Sequence, residues 1–162
     1  MGEFFSSIVN GTSLTILGIA LATILSGIGS ARGVGLCGQA AAGMLADDPS
    51  KFGKSLILQA LPMTQGFYGL ITAFMIQIKT GLMSSNHPEI SLTDGTYYLV
   101  AALPIAIVGL VSAIHQGKVA ASGIALISKR GDEVGHAVTN AALVETYAIL
   151  AVLVSLILVL FH

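Results

Sequence analysis

The stretch AVTNAALVETYAILAVLVSLILVLF, Ala137 to Phe161, is apolar throughout except for one charged residue, Glu145. Three comparable stretches precede it. Thr96 to Ser128 carries Lys118 alone, Leu56 to Ile78 carries no charge in 23 residues, and Thr12 to Leu45 carries Arg32 alone. About 20 apolar residues cross a ~30 Å hydrocarbon core. Four helical spans are therefore predicted, over about 12–45, 56–78, 96–128 and 137–161, with the first and third long enough to project beyond the bilayer. Membrane barrels alternate polar and apolar residues in segments of about ten, a pattern these stretches lack. The predicted fold class is an all-α integral membrane protein.

Composition agrees. Of 162 residues 54% are hydrophobic and 9% charged, with a net charge of −1 and a mean hydropathy of +0.88. A soluble domain needs about 25% charged residues to wet its surface. This balance argues against a soluble enzyme, and against a nucleic-acid binder, which would need a basic face. The apolar content excludes disorder. The lone cysteine, Cys37, can form neither a disulfide framework nor a thiolate cluster and reads as an inert packed thiol.

The connectors are short. Asp47 to Lys51 joins spans one and two, and Ser128 to Glu133 joins three and four; between spans two and three lie Asn86, Pro88 and Gly95 as turn formers. Lys51, Lys54, Lys129 and Arg130 flank the first and last connectors, against Lys79 alone on the other side. The positive-inside rule then places loops 46–54 and 128–136 in the cytoplasm and both termini outside. The N-terminus has Glu3 in place of the basic flank of a signal peptide. An acylation pattern at Met1 to Ser6 and a glycosylation sequon at Asn10-Gly11-Thr12 are short enough to arise by chance.

The two halves, 1–82 and 83–162, read as copies. Ser26-Gly27-Ile28-Gly29-Ser30-Ala31-Arg32 aligns with Ser112-Ala113-Ile114-His115-Gln116-Gly117-Lys118 at an offset of 86, and Gln65 corresponds to Glu145 at an offset of 80. Each half is a helical hairpin whose first helix is rich in glycine, alanine and serine, residues that let helix backbones approach closely in lipid. Repeats of this kind place a site between corresponding helices near mid-membrane.

Seven of the eight carboxylates (Glu3, Asp47, Asp48, Glu89, Asp94, Asp132 and Glu133) lie in connectors or the N-terminal tail, which leaves Glu145. Twelve residues separate it from Glu133, ~18 Å of helical rise, near the bilayer centre. An ionisable group there costs several kcal/mol and marks an ion or proton path. Leu61, Thr64, Gln65 and Tyr68 share one helix face, and Pro62 beside them cannot donate to the carbonyl four residues earlier. Thr64, Gln65 and Gln116 offer neutral oxygens, which with one carboxylate suit a hard cation. One negative charge balances a monovalent ion, so the loaded site is neutral. Tyr68 either packs or donates to Glu145. Arg32 and Lys118 are expected to snorkel, because a permanent ion pair would cancel the charge a cation needs. His115 is expected to pack between helices. No nucleophile–base pair or nucleotide loop is present, so the chain has no catalytic site of its own.

Leu61-Pro62-Met63-Thr64-Gln65-Gly66-Phe67-Tyr68-Gly69 and Val144-Glu145-Thr146-Tyr147, with His115-Gln116-Gly117-Lys118 between, resemble a known family. It is the four-helix proteolipid, or K subunit, of the rotor ring in V-type and bacterial A/V-type ATPases, and the likeness covers nearly the whole chain. The sodium-translocating members are the most similar. The resemblance implies a sodium ion held by the Leu61 carbonyl, Thr64, Gln65, Gln116 and Glu145, with Tyr68 bonding the carboxylate. It also implies a ring of identical subunits in the lipid of the cell membrane, and a stator subunit whose arginine helps release the ion. A central stalk would sit on the cytoplasmic loops, driven by a separate ATP-hydrolysing head. Protons are the alternative coupling ion. A four-helix cation antiporter and a passive ring in which Glu145 is dispensable are the readings from other classes.

Overall fold

In the computed structural model, residues 9–85 and 88–162 are described; the acylation pattern at Met1 to Ser6, with Glu3, and the turn former Asn86 lie outside them. Helix α1 runs over Gly11–Asp47. It starts at Asn10, whose side chain accepts from the Ser13 amide at 2.8 Å while Ser13 Oγ accepts from the Asn10 amide at 3.0 Å. The sequon asparagine is thus a reciprocal helix cap. Asp48 then caps a 3-10 turn at Pro49–Lys51, and α2 follows over Phe52–Ala60.

A second 3-10 turn, Leu61–Met63, separates α2 from α3, Thr64–Thr80. The predicted span 56–78 is therefore longer and is interrupted. Its 9, 3 and 17 residues make a helical rod of about 43 Å at helical rise, tightened at Pro62, which has no N–H to give. Gly81 closes α3 with φ +67, the left-handed conformation glycine adopts without strain. Helix α4 spans Leu92–Lys129 and α5 spans Val134–Leu160. Gly95, read from sequence as a turn former, lies instead in the first turn of α4, where a Cβ would strike the Gly11 backbone. The connector residues 52–54 and 134–136 are likewise helical. Helices α1, α4 and α5 are each long and apolar enough to cross a membrane.

Helices α1 and α4 run parallel, backbone on backbone. A Cβ on Gly33 would stand 2.5 Å from the Ala113 carbonyl oxygen, and one on Gly117 would overlap the Gly33 backbone. Small residues allow this where lipid supplies no hydrophobic drive between helices. Helices α3 and α5 pack along this pair and touch each other. Pro104 interrupts the bonding of α4, and buried Ser155 of α5 accepts from the adjacent Ile105 amide at 3.3 Å, the usual way a membrane helix re-satisfies its backbone near proline.

Two apolar clusters fill the interior. One joins Ala22, Ile76, Ile105 and Val152, the other Cys37, Leu58, Ile124 and Ala141. The buried Cys37 thiol donates to the Gly117 carbonyl at 3.4 Å. Along each of the four helical paths, the residues between these clusters form a polar belt: Ser26 and Ser30, Gln65, Gln116, and Glu145. Large apolar side chains such as Ile24, Phe67, Phe74 and Leu150 point outward, as a lipid-facing surface requires.

Candidate functional site

The polar belt closes into one network across three helices. Tyr68 Oη on α3 donates to Glu145 Oε1 on α5 at 2.7 Å. Gln116 Nε2 on α4 donates to Glu145 Oε2 at 3.3 Å and to the Ala141 carbonyl at 3.1 Å. Gln65 Nε2 donates to Gln116 Oε1 at 2.6 Å. Thr64 Oγ1 donates to the Leu61 carbonyl at 2.9 Å, inside the 3-10 turn. Leu61, Thr64, Gln65 and Tyr68 do share a face, because the 3-10 turn advances the chain almost as an α-helix would and keeps the spacing i, i+3, i+4, i+7.

Gln65 and Gln116 are fully buried, and Glu145, Thr64, Leu61 and Tyr68 half-buried. Gln65 Oε1 is buried with no hydrogen-bond partner. A buried amide oxygen left in that condition costs about 1–3 kcal/mol, and a cation is one group that satisfies it. The oxygen set fits a hard monovalent ion: one carboxylate, two amide carbonyls, one hydroxyl and one backbone carbonyl, without nitrogen or sulfur. Among the described residues no Lys, Arg or His pairs with Glu145. Arg32 and Lys118 are exposed on the far sides of α1 and α4, so the carboxylate charge is not cancelled.

His115 differs from expectation. It is exposed and does not pack between helices of the chain. With Ile107, Val111, Ser112, Val144 and Tyr147 it lines an apolar groove of about 430 Å³ between α4 and α5. Two participants escaped the sequence reading. The Ala141 carbonyl holds Gln116, and Ser30 Oγ accepts from the Gly66 amide at 2.8 Å beside the 3-10 turn. A serine at helical spacing from Ser26 within a run of glycines was the available signal, but it does not reveal which neighbouring helix the hydroxyl meets.

Outside the membrane the connectors hold charge in order. The Ser50 hydroxyl beside Asp48 keeps its carboxyl below the ordinary carboxylate value. His136, bonded to Glu133, does the same there, with Arg130 adding to it. Lys51 Nζ caps the Ser128 carbonyl at 2.8 Å and Lys54 Nζ the Gly131 carbonyl at 2.9 Å, cations placed where the end of α4 is negative.

The chain is similar in sequence to known proteins. A sequence model of the ATP synthase C-subunit family matches residues 17–76 and again 99–158, one match per hairpin. The chain is 49% identical over 150 residues to the V-type sodium ATPase subunit K of Enterococcus hirae, covering 93% of this chain and 92% of that one. It is 35% identical over 146 residues to the A-type ATP synthase subunit K of Methanocaldococcus jannaschii, covering 90% of this chain and 61% of that longer one. Four helices in two tandem hairpins, a polar belt centred on one carboxylate, and a family unit matched once in each half leave one assignment: this multi-pass membrane protein belongs to the ATP synthase C-subunit family, the ring-forming proteolipids of rotary ATPases.

Proposed function

We propose that the chain is the rotor-ring subunit of a V-type ATPase and that it carries one sodium ion at Glu145 during ATP-driven rotation. The observation that supports this most is the buried, unpartnered Gln65 Oε1 within reach of the network that ends on Glu145. The likeness to the sodium ATPase subunit of Enterococcus hirae adds to it. Sodium, the cargo, sits among Glu145, Gln65 Oε1, Gln116 Oε1, Thr64 Oγ1 and the Leu61 carbonyl. Thr64 turns its hydroxyl hydrogen away from Leu61 when the ion enters. Tyr68 keeps its bond to the carboxylate and holds it toward the ion.

A loaded site is neutral and passes the lipid face of the ring, whereas an empty one bears a charge and does not. A stator arginine supplies the step between them by drawing Glu145 away from the ion. The hairpins 1–82 and 83–162 are the duplicated units. Loops 46–54 and 128–136 face the cytoplasm and seat the central stalk, and both termini lie outside. The test is sodium-dependent protection of Glu145 from a carbodiimide, which attacks the protonated acid. Sodium should slow labelling, and acid should speed it. Labelling indifferent to sodium at every pH would refute the sodium reading and leave protons as the coupling ion; transport unaffected by loss of the carboxylate would leave only a passive ring.

A further inference from the structure

We propose that Ser30 on α1 is a positioning residue for the ion site: its hydroxyl caps α3 from a neighbouring helix and fixes the turn that presents Leu61, Thr64 and Gln65. The inference rests on the sodium reading above. Helix α3 continues from the 3-10 turn inside the membrane: the Thr64 amide donates to the Leu61 carbonyl, and no water is at hand for any backbone group that the tightened turn leaves short of a bond. The residue at its cap position is Met63, which makes no side-chain capping bond, and a methionine has no oxygen to offer. Ser30 fills that role from α1. Its Oγ accepts from the amide of Gly66, the third residue of α3, at 2.8 Å and donates to the Met63 carbonyl at 3.3 Å.

Thr64 and Gln65 lie between the two backbone groups that Ser30 holds, so one buried hydroxyl braces both proposed ligands from behind. Ser30 is 7% exposed. A serine in a membrane helix commonly donates to the carbonyl four residues back, as Ser26 does to Ala22. Ser30 turns to α3 instead. One turn along α1, Gly33 comes so close to the break that a Cβ would stand 2.7 Å from Pro62 Cβ. Ser155 makes a comparable brace at Pro104, away from the ligands, and provides the control.

The experiment measures sodium protection of Glu145 against carbodiimide on purified rings of wild type, Ser30→Ala, Ser30→Thr and Ser155→Ala. Ser30→Ala should raise half-protecting sodium about fivefold, equivalent to about 1 kcal/mol. It should also change the ratio of sodium to lithium affinities, which a uniform loss of stability would not move. Ser30→Thr should restore both, and Ser155→Ala should lower thermal stability while leaving both at the wild-type value. Where Ser30→Ala prevents ring assembly, Ser30→Cys, with its weaker acceptor, should show a smaller shift in the same direction. Wild-type protection with an unchanged Ser30→Ala or Ser30→Cys ring overturns the Ser30 role alone, as does an equal shift in Ser155→Ala. A wild-type ring with no sodium protection overturns the sodium reading, and the Ser30 role with it.

Discussion

Replacing Tyr68 by phenylalanine removes one hydrogen bond and little else. The ring packs at the margin of the apolar cluster around Ile76 and Ile105, and Phe preserves that contact. The Tyr68 carbonyl still accepts from Thr72 Oγ1 at 3.0 Å. What disappears is the 2.7 Å bond from Oη to Glu145 Oε1. Hydrogen bonds to an ionised carboxylate contribute about 1.5–3 kcal/mol. Both residues are only half-buried, so the lower end applies. At about 1.4 kcal/mol per factor of ten, half-protecting sodium should rise about tenfold. Gln116 Nε2 continues to hold Oε2 at 3.3 Å, so the site is loosened and not destroyed. The assay is the rate of carbodiimide labelling of Glu145 in purified rings against sodium concentration at fixed pH. A Tyr68→Phe ring whose half-protecting sodium stays within twofold of wild type would show that the hydroxyl serves packing, and that the carboxylate is held by Gln116 alone.

Thr64→Ala with Gln65→Ala removes two proposed ligands and should raise half-saturating sodium in transport at least tenfold, roughly 1.4 kcal/mol, with ring assembly intact on native mass. Gly117→Ala drives a methyl into the Gly33 backbone and should destabilise the chain by about 1–3 kcal/mol, read as a lower melting temperature of the detergent-solubilised ring. Asp48 and Glu133 have folded-state values held below the ordinary carboxylate range, so the order they give their connectors is complete above that range and lost as pH falls through the lowered values. The Ser50 amide, which donates to Asp48 Oδ1, should keep its protection factor against exchange down to about pH 4 and lose it below. Purified rings should bind one sodium per subunit, and Gln65→Glu should not raise that count to two.

The long apolar helices were legible because charge is sparse: about 20 residues without it can cross a hydrocarbon core, and α1, α4 and α5 are long and apolar enough to do so. The shared face of Leu61, Thr64, Gln65 and Tyr68 was legible because helical period alone decides it. The 3-10 turn was half-legible. Pro62 announces lost bonding, but whether the chain kinks, bulges or tightens depends on what Ser30 and Gly33 press against it from α1. Gly95 was misread because glycine signals a turn and a close approach alike, and only the position of Gly11 distinguishes them. His115 shows the same limit, since its neighbours lie on α5 and are 29 and 32 residues distant, at Val144 and Tyr147. Local chemistry fixed the periodic features, and contacts between helices far apart in sequence decided the rest.

The asymmetry between the hairpins explains why four helices present one carboxylate. Gln65 gives its amide hydrogens to Gln116, and Gln116 gives its own to Glu145, so both amide dipoles point their positive ends toward the carboxylate. The opposite end terminates in Gln65 Oε1, which no protein donor reaches. A second carboxylate at position 65 would have no hydrogens to give. Gln116 would then have to turn its amide group toward residue 65, and Glu145 would lose that donor. The arrangement therefore needs an acid at one end and an amide at the other. The helix bearing the acid, α5, is unbroken, while the helix bearing the amide starts at the 3-10 turn, whose Leu61 carbonyl accepts from the amide and the hydroxyl of Thr64. Charge comes from α5 alone, while neutral oxygen comes from both hairpins, at Leu61, Thr64 and Gln65 in the first and at Gln116 in the second, and one negative charge among neutral oxygens is the balance that suits a monovalent cation.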